Sequence, residues 1–147
     1  MADSQVVEFR DRSLEQLEPG NAPVGGESYL NSEMRRLARL PLKQLRLEDL
    51  RLLIGQGVGL RFLIPMTVEH LEAHPLASGD FYPGDLLKQV MEVDESFWAN
   101  RSELRVRLGA ALDGALARIA KTRTPVELER ELRASLNRHQ AASREAV

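Results

Sequence analysis

Apolar residues recur at three- and four-residue steps along most of the chain, the period that places them on one face of an α-helix. Leu30, Met34, Leu37 and Leu40 form one such stripe, and Pro41 ends it. Leu47 to Ile54 predicts a second helix, with Glu48 and Asp49 in the first turn, where the helix dipole favours acids. Leu60, Leu63, Ile64, Thr67, Val68 and Leu71 supply a third face. Pro65, five residues past Leu60, either kinks that helix or sits in its first turn. His74-Pro75 closes it, Leu76 to Tyr82 reads as a loop, and Pro83 suits the first position of a helix running through Val90. Asp94 is placed to cap a short turn containing Phe97 and Trp98.

The last third carries the longest stripe: Leu104, Leu108, Ala111, Leu112, Ala115 and Ile119, opened by Asn100 with Glu103 three residues on, a capping-box-like start. Thr124-Pro125-Val126-Glu127 predicts a further helix start, followed by Leu128, Leu132 and Leu136. The first 28 residues lack sustained periodicity beyond a helical turn at Ser13–Leu17, and they run into Pro19-Gly20 and Pro23 to Gly26. Leu14 and Leu17 are positioned to dock on the body. No alternating β-branched run competes, so the expected fold is all-α: a single compact bundle of about six helices with a flexible N-terminal arm. The domain reading is 1–28 arm and linker, 29–140 helical domain, and 141–147 frayed tail.

Composition narrows the function classes. At 147 residues, 43% hydrophobic and 29% charged, the chain has the size and balance of one globular domain. It has no cysteine, which excludes disulfides, thiol catalysis and thiolate metal sites. No apolar run reaches the roughly 18–20 residues of a spanning helix, and acids near the start replace the bases of a secretory leader. A cytoplasmic protein is expected. The net charge of −2 is uneven: residues 1–28, 29–61, 62–100 and 101–147 sum to −4, +4, −6 and +4. The acidic central third can steer a charged partner.

Candidate catalytic motifs fail on their context. Gly55-Gln56-Gly57-Val58-Gly59 follows a predicted helix rather than a strand, and it lacks both the dinucleotide spacing and the Gly-Lys-Ser/Thr ending of a phosphate loop. It reads as a helix–helix corner. His70 and His74 have the i, i+4 spacing of a metal pair, but the string between them is not H-E-x-x-H. Nothing separates the acids Asp80, Asp85, Glu92 and Asp94 into the protonated and ionised partners that hydrolysis needs. No catalytic residue, metal or cofactor is expected. Arg35, Arg36 and Arg39, and then Arg101, Arg105 and Arg107, form basic faces that an adaptor module would use on protein or nucleic acid. They suit solvated faces opposite Glu33, Glu103 and the acidic segment better, aromatics for stacking being scarce beside them.

The loop Leu76 to Asp85 is different, because it sets Phe81 and Tyr82 side by side between glycine, proline and carboxylates. Such a loop serves recognition; equally, the two rings serve as plugs between helices. Here the chain becomes familiar. The run Glu48 to Leu60, then Pro65, His74-Pro75-Leu76, Gly79 to Leu87 and Phe97-Trp98, with Ser13 to Glu18 upstream, resembles the immunity proteins of bacterial contact-dependent growth inhibition systems. The resemblance spans about residues 13–98. It implies a non-enzymatic antidote that binds the C-terminal toxin domain, frequently a nuclease, delivered by a neighbouring cell. On that footing Glu69, Glu72, Asp80, Tyr82, Asp85 and Glu92 are the candidate toxin-facing residues. Gly55, Gly57, Gly59, Pro83 and Gly84 belong to the scaffold.

Overall fold

In the computed structural model, which describes residues 9–20, 28–120, 129–135 and 137–138, the regular structure is helical, with no strand among those residues. The helices that lie wholly within the described residues are, in order, α1 Leu14–Leu17, α2 Tyr29–Ala38, α3 Leu47–Gly55, α4 Leu60–Ala73, α5 Asp85–Met91, α6 Glu95–Trp98 and α7 Ser102–Ile119. A 3-10 turn, Leu42–Gln44, links α2 to α3. Residues 129–135 are helical too, and Leu132 among them is fully buried. The predicted cap at Thr124 and the apolar positions Val126, Leu128 and Leu136 lie outside the described residues.

Local chemistry explains most boundaries. Ser13 caps α1 reciprocally with Gln16: the Gln16 amide donates to the Ser13 hydroxyl at 3.2 Å, and the Ser13 amide donates to the Gln16 side chain at 2.9 Å. Asp49 at the third position of α3 accepts the Arg46 amide at 2.9 Å. Asp94 caps α6 by accepting the Ser96 amide at 2.8 Å. Three expectations shift. Pro65 is the sixth residue of α4, beyond the first turn, on an exposed face where water can serve the carbonyl it leaves without a helical donor. Pro83 lies before α5 rather than in it, because Gly84 takes φ +92° and is the cap. α7 starts at Ser102 with Arg101 as its cap, one residue later than Asn100 would set it.

The apolar stripes meet in one core, with α4 packed most extensively against α7, and α3 against α5. Leu53, Leu63, Ile64, Leu71, Leu86, Leu108 and Leu112 are fully enclosed in it. α3 and α5 approach closely at Gly55, where an added Cβ would lie 3.1 Å from the Gln89 side chain.

The described part of the N-terminal arm is docked. Leu14 is 4% exposed, the Leu42 amide donates to the Arg12 carbonyl at 2.9 Å, and Ser13 forms an isolated bridge with Pro41. Phe9 packs on Phe62 with ring centroids 5.4 Å apart, and Arg10 reaches Glu69 at 2.5 Å. The seat for Leu14 is the glycine corner. Gly59 caps α4 at φ +66°, and a Cβ there would fall 2.6 Å from a Leu14 methyl. Gly59→Ala therefore combines left-handed strain with a displaced core leucine. It is expected to destabilise the protein by about 2 kcal/mol, measured by urea unfolding, whereas a loss under about 0.5 kcal/mol would show that the corner yields freely.

Candidate partner-binding surface

The loop between α4 and α5 is built around two carboxylates from different elements. Asp85, in the first turn of α5, is 4% exposed and accepts the Gly79 amide at 2.6 Å and the Phe81 amide at 3.1 Å, with the Tyr82 amide at 3.5 Å. Glu48, in the first turn of α3, accepts the Asp80 amide at 2.8 Å. A bridge between Ser78 and Pro83 and a bond from the Gly84 amide to the Leu76 carbonyl close the base. A side chain at Gly79 would push on both carboxylates, since a Cβ there would meet the ends of Glu48 and Asp85.

Glu48 has a second duty. It holds Arg51 through two bonds, at 2.8 and 2.5 Å, and the Arg51 guanidinium lies 4.5 Å from the centroid of the Phe81 ring. The bond to Arg51, helped by the Asp80 amide, holds the Glu48 carboxyl below the usual carboxylate range against the opposing effect of burial. It stays ionised and keeps both partners. Phe81 is thus fixed from below and still 68% exposed, whereas Tyr82 is half-buried and packs against the core. The two rings divide the alternatives between them: Tyr82 plugs and Phe81 projects.

Beside them lies a concavity of about 230 Å³ lined by Arg51, Phe81, Tyr82, Asp85, Lys88 and Glu92. Lys88 has its pKa raised, first by Glu131, which it meets at 3.2 Å, and it stands 3.9 Å from Glu92. The fold therefore gathers Tyr82, Asp85 and Glu92 at one place, with Asp80 on the same loop. Glu69 and Glu72 stand elsewhere, on the exposed side of α4, where they pair with Arg10 and Arg107.

The acidic third looks different once folded. Of its seven acids, six meet internal partners: Glu69, Glu72, Glu92 and Glu95 pair with basic side chains, and Asp85 and Asp94 accept backbone amides. Asp80 alone of the seven, though exposed, has neither an ion pair nor a backbone amide on its carboxylate among the described residues. Asp85 faces its own loop rather than outward, so the expectation of a toxin-facing charge at that position meets a buried carboxylate. The exposed pairs are each worth about 0–1 kcal/mol and are easily shared with an incoming charge.

The arginine faces are also largely committed inward. Arg105 is 7% exposed and clasps Glu95 at 2.5 and 2.7 Å. Arg101 donates to the Phe97 carbonyl at 2.7 Å and lies over the Phe97 ring; Arg36, Arg39 and Arg107 pair with Glu33, Glu15 and Glu72. His70 and His74 have ring centroids 5.1 Å apart. Burial, and then His74, push the His70 pKa below the ordinary imidazole value. Among the described residues no group of three or more potential donors stands where it could hold a metal ion. No described helix is long and apolar enough to cross a membrane.

The sequence did not mark Arg51 and Glu48 as part of this surface. An i, i+3 acid–base pair on a helix signals only a local bond, and their reach to Phe81 and Asp80 exists only in the fold.

A helical scaffold that locks a loop and holds an aromatic ring outward from it has the architecture of a protein-binding module. A family model for CDI immunity proteins matches residues 15–108, well over half of the chain and inclusive of the glycine corner and the whole loop. The chain belongs to that family, the immunity proteins of contact-dependent growth inhibition, whose role is to bind and neutralise a cognate toxin. Among curated proteins and among solved structures, none matches the chain significantly.

Proposed function

We propose that this protein neutralises the C-terminal toxin domain of a contact-dependent growth inhibition effector by direct binding in the cytoplasm, without catalysis of its own, and that the toxin is a nuclease with a basic surface. The observation that carries the reading is the exposed Phe81 ring fixed over Arg51 by Glu48 and Asp85. Exposing a phenyl group to water is unfavourable unless a partner covers it, and a loop already ordered loses little further entropy on binding. Phe81 is the anchor, Asp80 beside it offers an unpaired carboxylate to a basic partner, and Tyr82 and Glu92 line the adjoining concavity. Glu69 and Glu72 act at longer range through charge. Asp85 acts through the loop it organises.

The test is affinity for the C-terminal domain of the large secreted protein encoded beside this chain, at low and moderate salt. Nanomolar binding is expected, weakening with salt by about tenfold or less because most acids are internally paired. Phe81→Ala should weaken it about thirtyfold or more with the melting temperature unchanged, as truncation of an interface anchor does. Asp80→Lys should slow association. Absence of binding at micromolar concentrations would overturn the assignment, and binding unaffected by both substitutions would move the interface to another face.

A further inference from the structure

We propose that a second groove, on the side formed by α4, the Leu42–Leu50 segment and the docked arm, takes an acidic peptide segment of a partner protein that carries aliphatic side chains between its carboxylates. The main part of the groove encloses about 590 Å³, and its floor includes Leu42, Leu45, Leu50 and Met66. Arg10, Lys43 and Arg46 stand along its walls. Beyond the Arg10–Glu69 ion pair it continues into a part of about 390 Å³, where Arg61 and Arg107 join the lining. Both parts share Arg10, Leu42, Met66 and Glu69, so that pair crosses a continuous trough.

The charge pattern selects the occupant. Five basic side chains line the trough against one carboxylate, Glu69; the acids that pair with Lys43, Arg46 and Arg107 are not among its lining residues. Lys43, Arg46 and Arg107 are well exposed, so their existing pairs are weak and can be shared with incoming carboxylates. Arg10 holds Glu69 through one terminal nitrogen, while its Nε–H has no acceptor among the described residues. The Nε is itself buried, so the donors this guanidinium offers the groove are those of its terminal nitrogens, beside an apolar floor. A nucleic acid fits less well. Its bases need aromatic platforms, whereas the main part is floored by leucines and methionine, and the two phenyl rings that line the second part, Phe9 and Phe62, pack on each other.

The inference stands apart from the toxin-binding loop and is tested without a toxin. Fluorescence anisotropy of the full chain would be measured with three labelled probes: a peptide alternating leucine with glutamate, the same peptide with glutamine for every glutamate, and a single-stranded DNA of mixed sequence. The glutamate peptide is expected to bind about tenfold or more tightly than the glutamine peptide and more tightly than the DNA. Lys43→Glu combined with Arg61→Glu, two exposed positions on opposite parts of the trough, should reduce that binding about tenfold or more. Arg130→Glu, a charge change outside the trough, should leave it unchanged, and thermal melts would verify that both variants fold. Equal binding of the two peptides, preference for DNA, no binding of any probe, or indifference to the double substitution would each overturn the proposal.

Discussion

Asp85→Ala is expected to lower the stability of the protein by about 3 kcal/mol and to abolish the ordered form of the recognition loop. The side chain is 4% exposed and accepts amides from Gly79 and Phe81 on its two oxygens, with that of Tyr82 at the edge of bonding distance. Hydrogen bonds to a charged acceptor contribute about 1.5–3 kcal/mol each, and an amide left without a partner in a part-buried site adds to the loss. Its place in the first turn of α5 adds about 0.3–1 kcal/mol through the helix dipole. Phe81 is exposed, so water can reach part of the vacated loop, which keeps the total near 3 kcal/mol rather than the full sum. In a chain of this length the melting temperature should fall by roughly 9 °C. Amide exchange at Gly79 and Phe81 should accelerate well beyond the global change. Toxin affinity should fall at least as far as in Phe81→Ala, since the ring loses its fixed position as well as its pocket-facing neighbours. A variant that melts within about 1 °C of the parent would show that Glu48 and the Ser78–Pro83 bridge suffice to hold the loop.

Trp98→Ala should produce the largest loss of stability, about 4 kcal/mol, with a melting temperature lower by roughly 12 °C. Trp98 is 1% exposed, the largest of the fully enclosed side chains, and it meets Phe97 edge-on with centroids 5.0 Å apart. It ties the single-turn helix α6 to the core. A helix of four residues has no stability of its own. Removing the indole therefore leaves a cavity and also frees Glu95, whose carboxylate sits on α6 and clasps the buried Arg105. Trp98→Phe should recover more than half of the loss. Urea unfolding at neutral pH measures both variants, and a loss under about 1 kcal/mol for Trp98→Ala would mean that α6 contributes little to the fold.

What the sequence by itself determined is what depends on neighbours along the chain. The three- and four-residue spacing of leucines, the Ser13 and Asp94 caps and the breakers around Pro41 and Gly55 to Gly59 are sufficient for an all-α protein, with α2, α3 and α4 placed close to where they stand. Leu14 was legible as a docking residue for the same reason. The family was legible too, because its motifs are strings. Asn100 misled because a capping-box pattern describes preference, whereas the turn after α6 carries Arg101 back to the Phe97 carbonyl and sets the start of α7. The surface chemistry was decided elsewhere. Whether an acid faces a partner or its own protein depends on groups 32 residues away for Glu48 and Asp80, 35 for Glu72 and Arg107, and 59 for Arg10 and Glu69. Net charge along the sequence counts those acids as available. Only the tertiary structure, by bringing their counter-ions and amides within reach, left Asp80 outside such a pair, turned Asp85 inward, and held Phe81 rather than Tyr82 out to solvent.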